Sequence, residues 1–524
     1  MSSFSQSTSR FSIDESGVGL LSEKYDFASD EHTTRIAPSL KSCMSSKLVI
    51  TSPCLLLRYF ARSLSQLFFL LLPSFLHPRH QNGRNKADKL PPTAFLDGMR
   101  GLAAFVVFIC HLTYGSFDIG HAWGADPDSD SESRPHNQST YRNFLRLPIV
   151  RLLYSGPPMV AIFFVISGYA LSYKPLKLMR SQQHEQLMTT MSSSVFRRGL
   201  RLFLPCFAST FLVICLAQLN LYTITEDFAG QMRAIPEDHC YTQPDPWLQF
   251  TDWLQQMLIF VNVFDWSLFA GSVELDRHLW TIPVEFRCSL ALFLTQMMVA
   301  RMSTGLRMTT FVGLMTWGVS QDRWDLWPFW AGAVIAELDI IRTAKTLGSS
   351  SLSSTTQPLK PKFLTKFLCT LMIVISLFLL SYPDAAGHAT PGYTSLTPLI
   401  PSKFTEKHRF WPTIGAIMIV WTTCHLDFLR KDVFCWSPIQ YLGKISFPLY
   451  VVHGPIIHTL GYMTLPRTPE VETPEIMHQF ELDFLKASVV IVITVIWVAD
   501  VFLRIVDTPC VNLARRLEQR FLKY

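Results

Sequence analysis

Apolar stretches long enough to cross a bilayer alternate with short polar segments along most of this chain. The pattern predicts ten spanning helices, at roughly 94–115, 157–174, 201–222, 279–300, 307–321, 324–341, 364–382, 410–427, 439–463 and 484–505. Only Gln321, Asp322 and Arg323 separate the fifth from the sixth. Ahead of them, residues 1–46 are rich in Ser, Thr and acids with no periodicity and read as a disordered polar tail. Residues 47–92 read as a basic amphipathic segment. The run from Leu67 to Leu76 is strongly apolar but too short to cross, Pro73 interrupts it, and Arg58 and Arg62 precede it. An interfacial helix is expected there, followed by a basic collar of Arg79, Arg84, Lys86 and Lys89. The membrane domain is expected over 93–510, and 511–524 as a basic cytoplasmic tail.

Charge orients these spans. The 174–201 segment carries Lys174, Lys177, Arg180, Arg197, Arg198 and Arg201 against one acid, Glu185. Residues 342–366 are basic, and so is the tail with Arg515, Arg516, Arg520 and Lys523. Segments 116–156, 222–278 and 464–483 are the acidic ones. Cationic loops stay in the cytoplasm, so the alternation places both termini there. A crossing by 51–77 would invert every loop and break the rule. The sequon Asn137-Gln138-Ser139 then falls on the lumenal or outer side. The first apolar run follows about 50 polar residues, so the first spanning helix is expected to act as its own insertion signal.

Composition agrees: 49% of the residues are hydrophobic and only 16% charged, with a mean hydropathy of +0.23. Soluble domains carry about 25% charged residues. The expected fold is therefore an all-α, polytopic transmembrane bundle of about ten spans. The net charge of +6 is spread over short loops, which points to topology rather than nucleic-acid binding. The 11 cysteines show neither CxxC pairs nor zinc-type spacing, so neither a disulfide framework nor a metal is expected.

Ionisable groups inside spanning helices are expensive and mark functional sites. The first span, FLDGMRGLAAFVVFICHLTY, holds Arg100 and His111, eleven residues apart. That spacing puts both on one helix face, about 16 Å apart along the axis. The alternative for Arg100 is a side chain that snorkels to the headgroups. With the fourth span running inward, Glu285 is expected at a depth similar to His111, and His453 of the ninth span near the middle. A histidine held by a carboxylate is the usual general base. Each also has a structural reading, Glu285 as a protonated carboxyl within the bundle and His453 as a core hydrogen bond. Glu337, Asp339 and Asp500 are expected to be structural or interfacial. On the cytoplasmic side Arg100, Arg197, Arg198, Arg201 and Lys444 suit a phosphorylated ligand, while the 197–201 run read alone suits anionic lipid headgroups.

Six stretches then match a family. They are LDGMRGLAAFVVFICH, FFVISGYALS at 163–172, FRRGLRLFLP at 196–205, HLWTIPVEFRCSL at 278–290, ISFPLYVVH at 445–453 and VDTP at 506–509. Together, over about 93–510, the chain resembles acyltransferase family 3 of integral-membrane O-acyltransferases, its fungal branch most of all. The resemblance implies about ten spans, a cytoplasmic acyl-CoA donor (acetyl-CoA in the first instance) and transfer to a hydroxyl. The family's essential arginine and histidine fall on Arg100 and His111, and its fourth-motif glutamate on Glu285.

The expected mechanism follows from the roughly 16 Å between the pair, a length comparable to the pantetheine arm of CoA. Arg100, with Arg197, Arg198, Arg201 or Lys444, grips the phosphates. His111 deprotonates the acceptor, which attacks the thioester directly, while Glu285 orients His111 or shares its proton. Tyr169, Trp280, Tyr450 and His453 are candidate lining for the acceptor, a hydroxylated metabolite or a glycan; as aromatics, the first three equally suit helix packing. The partners expected are acyl-CoA, that acceptor and the bilayer, in an endomembrane or the plasma membrane. The alternative is a transporter of an amphipathic metabolite or lipid, although no repeated halves or paired broken helices are visible.

Overall fold

A computed structural model describes residues 65, 68–76, 90–125, 142–222, 242–267, 269–352, 363–469 and 473–521. The 1–46 tail, the collar from Arg79 to Lys89 and the Asn137 sequon lie outside the described residues. The chain divides into two compact units, Met1–Asp97 and Gly98–Tyr524. In the first, a helical turn at 68–71 and a 3-10 turn at Ser74–Leu76 expose Phe68, Phe69, Phe75 and Leu76, the apolar surface an interfacial segment requires.

The described residues are helical, with no strand among them. Each expected span lies on a helix: α1 Ala94–Thr113, α2 Gly156–Arg180, α3 His184–Gln218, then, past α4 (Pro246–Phe260), α5 Thr281–Val299 and α6 Thr304–Ser320. The series continues with α7 Trp327–Leu352, α8 Phe363–Leu380, α9 Lys407–His425, α10 Ser437–Ile456 and α11 Pro474–Phe502. Five stretches, Ala94–Thr113, Gly156–Arg180, His184–Gln218, Arg277–Val299 and Pro474–Phe521, are long and apolar enough to cross a membrane. The others fall short for local reasons. At 17 residues α6 is too brief, and α7 carries Glu337, Asp339, Arg342 and Lys345.

Three differences from the expected pattern stand out. Helix α3 starts at His184, well before residue 201, because nothing in the polar 184–200 stretch interrupts helix formation. The segment expected to be an outer loop contains α4, capped at Asp245, whose carboxylate accepts from the backbone of Trp247 and Leu248. The tail folds as α12, Thr508–Phe521, which joins α11 through a π-helical turn at Leu503–Asp507 and reaches α3 through Arg197 and Glu518, 3.2 Å apart.

The core that positions the site lies between α1, α10 and α11. Ala104, Phe108 and Leu112 meet Ile445, Leu449, Val452 and Ile456, and Phe484, Ala487, Ile491, Val495 and Ala499 close the cluster. The three- and four-residue spacing puts each set on one helix face. Helices α1 and α10 touch backbone to backbone where Gly101 faces Gly443. A Cβ on Gly101 would lie 2.2 Å from the Gly443 nitrogen, so only glycine permits the approach.

A candidate active site of three imidazoles and a cationic end

Helices α1 and α10 run side by side in the same direction, and Arg100 and His111 of α1 both turn toward α10. Arg100 donates to the Ser446 hydroxyl at 3.0 Å, and His111 lies 5.3 Å from His453, ring centre to ring centre. A third imidazole, His278, joins them, 4.2 Å from His111 and 4.9 Å from His453. One ligand nitrogen of each ring lies within 4.8 Å of the others. His278 and His453 are buried, at 3% and 0% exposure, whereas His111 keeps part of its surface accessible.

Local structure fixes the two buried rings. Asp276 caps a 3-10 turn at Arg277–Trp280, its carboxylate accepting from the His278 backbone at 3.1 Å and pairing with the His278 Nδ1 at 2.9 Å. A carboxylate only accepts, so Nδ1 carries the proton and Nε2 is left as an acceptor. His453 makes the same choice, since its Nδ1 lies 3.2 Å from the Leu449 carbonyl oxygen. The buried Nε2 of His453 and Oδ2 of Asp276 have no hydrogen-bond partner among the described residues. Two residues after His453, Pro455 lacks the N–H that would bond the Val451 carbonyl, and Ser209 of α3 donates to that oxygen instead at 3.3 Å. Tyr450 bridges the Thr281 hydroxyl, at 2.6 Å, and the His278 carbonyl.

Glu285 has different company. Its Oε1 accepts from Ser167 at 2.9 Å and from Arg198 at 2.8 Å. Seven residues separate it from His278, about 10 Å along the helix, so the acid level with His111 is Asp276. The expectation of similar depth for Glu285 and His111 took the span to start at residue 279. His278 is instead the residue beside His111. Asp276 and His278 lay just outside the spans searched for buried charge, although the Asp-x-His pattern of LDRHLW marks a turn-capping acid beside an imidazole.

The arginines gather toward the other end. Arg201 lies within electrostatic reach of Asp507, Arg198, Arg100 and Arg197. Lys444 senses Asp500 and Arg504, which pair with each other at 2.9 Å. The aromatic candidates separate. Tyr450 and His453 belong to the imidazole cluster, while Tyr169 is fully buried with its hydroxyl on Asp339 at 2.8 Å. Trp280 stands edge-on to Trp324 and Phe269, with the Arg409 guanidinium 5.2 Å from its ring centre.

The imidazole cluster thus lies some helical turns from the arginines. The comparisons bear on the family of the chain. The model of acyltransferase family 3, an acyltransferase domain, matches residues 93–503. The chain is 31% identical to the O-acetyltransferase PaAT-1 of Phomopsis amygdali over 87% of its length and 89% of that protein's. It is 28% identical to acyltransferase R4 of a Phoma species, over 82% and 96% of the two chains. With acyltransferase clz18 of Cochliobolus lunatus it shares 26% identity over 80% and 94%. No solved structure matches it.

Proposed function

Since the chain belongs to acyltransferase family 3, and is thus an acyltransferase of groups other than aminoacyl groups, we propose that it carries an acyl group from acyl-CoA to a hydroxyl of a small metabolite or a glycan. The name of the Phomopsis relative makes acetyl the first choice of acyl group. Ten crossings in an endomembrane or the plasma membrane, with both termini cytoplasmic, put the arginine end where cytoplasmic acyl-CoA arrives.

Arg100 and Arg201, with Arg197 and Arg198, bind the CoA phosphates as charge-assisted partners. Glu285 and Glu518 hold Arg198 and Arg197 in place, at 2.8 Å and 3.2 Å. Lys444, among Asp500 and Arg504, adds positive charge at the same end. The thioester then lies beside His111. The acceptor oxygen attacks the thioester carbon as His111 takes its proton, the carbon–sulfur bond breaks, and the proton passes to the thiolate. The products are an ester and CoA, formed in one ternary complex.

The observation that carries this reading is the partial exposure of His111 beside two closed imidazoles, which makes it the ring of the three that a substrate reaches. The test uses the full chain in lipid nanodiscs with labelled acetyl-CoA and a panel of fungal metabolite alcohols. His111→Ala is expected to lose transfer by about 100-fold or more at an unchanged melting temperature. Wild-type turnover in that variant sinks the assignment.

A further inference from the structure

We propose that Asp276 is a positioning residue that makes His278 a second proton holder of the site, and that Gly454 exists to admit this pair. The inference rests on His111 as the base that meets the acceptor. Asp276 and His278 are 4% and 3% exposed, so their pairing at 2.9 Å is shielded from water. Burying a carboxylate costs several kcal/mol unless something repays it. Beyond the cap and ring contacts of Oδ1, Oδ2 has no bond among the described residues, so its charge is available to steady a positive ring.

The backbone of α10 is shaped around the pair. A Cβ on Gly454 would stand 2.6 Å from His278 Nδ1 and 2.7 Å from Asp276 Oδ1. Both are closer than any methyl group tolerates, and both atoms belong to the one hydrogen bond. Glycine next to His453 therefore lets Asp276–His278 rest directly on the helix that supplies the third imidazole. Tyr450, one turn earlier, fixes the same turn through the His278 carbonyl and Thr281.

The electrostatics complete the argument. Nδ1 bonds leave Nε2 as the basic nitrogen of both His278 and His453, and the two rings, 4.9 Å apart, close a triangle with His111. A buried carboxylate on Nδ1 favours the charged form of the ring, so His278 draws the proton that His111 removes from the hydroxyl. During transfer that proton moves from His111 to His278 Nε2 and returns through His111 to the CoA sulfur. No other reactant is required.

Full-length variants in nanodiscs test this with labelled acetyl-CoA and whichever panel alcohol the wild type acetylates. Asp276→Asn should lower kcat by about 100-fold or more with the KM for acetyl-CoA within about threefold, because a neutral amide no longer fixes the ring. Asp276→Glu should regain a measurable part of the loss. Gly454→Ala, which removes no functional group, should fall nearly as far as Asp276→Asn. A second measurement needs no turnover: carbethoxylation of His111 by diethyl pyrocarbonate, followed by peptide mapping, should slow several-fold in Asp276→Asn. An unchanged kcat or an unchanged carbethoxylation rate in Asp276→Asn overturns the proposal. So does a wild type that loses activity to a chelator and regains it with Zn²⁺, since the rings would then be metal ligands. If His111→Ala is inactive while Asp276→Asn is not, this inference fails and the base assignment stands. Full activity in His111→Ala removes both.

Discussion

Aspartate meets histidine twice in this molecule, at Asp118–His121 in the loop after α1 and at Asp276–His278 before α5. The bonds are nearly equal, 2.8 Å and 2.9 Å. Their surroundings differ. Arg146 approaches Asp118 at 3.9 Å and donates to the His121 carbonyl at 2.9 Å, while the Gly120 N–H donates to the same acid at 3.1 Å. Asp118, His121 and Arg146 thus each meet a partner of opposite kind. Asp276 instead holds His278, whose ring stands against two further imidazoles, His111 and His453. The lesson is that an Asp–His pair is not chemistry by itself. What surrounds it decides whether its charge is spent on structure or left for a moving proton.

The largest expected contrast is catalytic. Asp118→Asn should leave acetyl transfer within about twofold of wild type, as surface changes usually do, against the 100-fold or greater loss expected for Asp276→Asn. Equal losses in both variants, measured as kcat in nanodiscs, would erase the distinction between the two pairs. A second contrast compares cations. Arg201→Gln should raise the KM for acetyl-CoA about tenfold, a loss of about 1.4 kcal/mol, with kcat kept. Arg146→Gln, whose charge serves the loop, should leave KM unchanged. A salt titration sharpens this, because the arginine contribution shrinks as ionic strength rises. If KM for acetyl-CoA is indifferent to both the Arg201 change and salt, the phosphate end lies elsewhere.

Much of the helical content was legible in the sequence because apolar runs are a signal carried by each segment alone. All ten expected spans coincide with helices, and the family membership followed from six short motifs. The site was legible only in part. Spacing fixes which residues share a face, so Arg100 and His111 both turn to α10. Depth along an axis does not fix the neighbour, and Glu285 meets Arg198 and Ser167 while Asp276 meets His278. Asp276 carries no such signal, because a capping acid sits just outside the span boundary, where a charge looks inexpensive. Helix α4 was missed for a related reason: its apolar residues are too few to cross, and the acidic segment around it reads as loop.

The smallest expected effect concerns pH and the loop pair. Burial pushes the Asp118 carboxyl up, but the hydrogen bond and charge of His121, the charge of Arg146 and the Gly120 N–H together hold it at about 2, below its ordinary 3.8. A depressed acid stabilises the fold above its unfolded pKa of about 4, and that contribution is lost as pH falls toward 2. Its size, discounted for solvent screening, is on the order of 1 kcal/mol. Asp118→Asn should therefore melt a few degrees below wild type at pH 7, and the gap should close as the medium is taken from pH 4 to pH 2. Thermal melts of both proteins in the same detergent check it. A gap that stays constant through that window would mean the loop is held by packing instead, and the balanced pair would no longer serve as the inert counterpart of Asp276–His278.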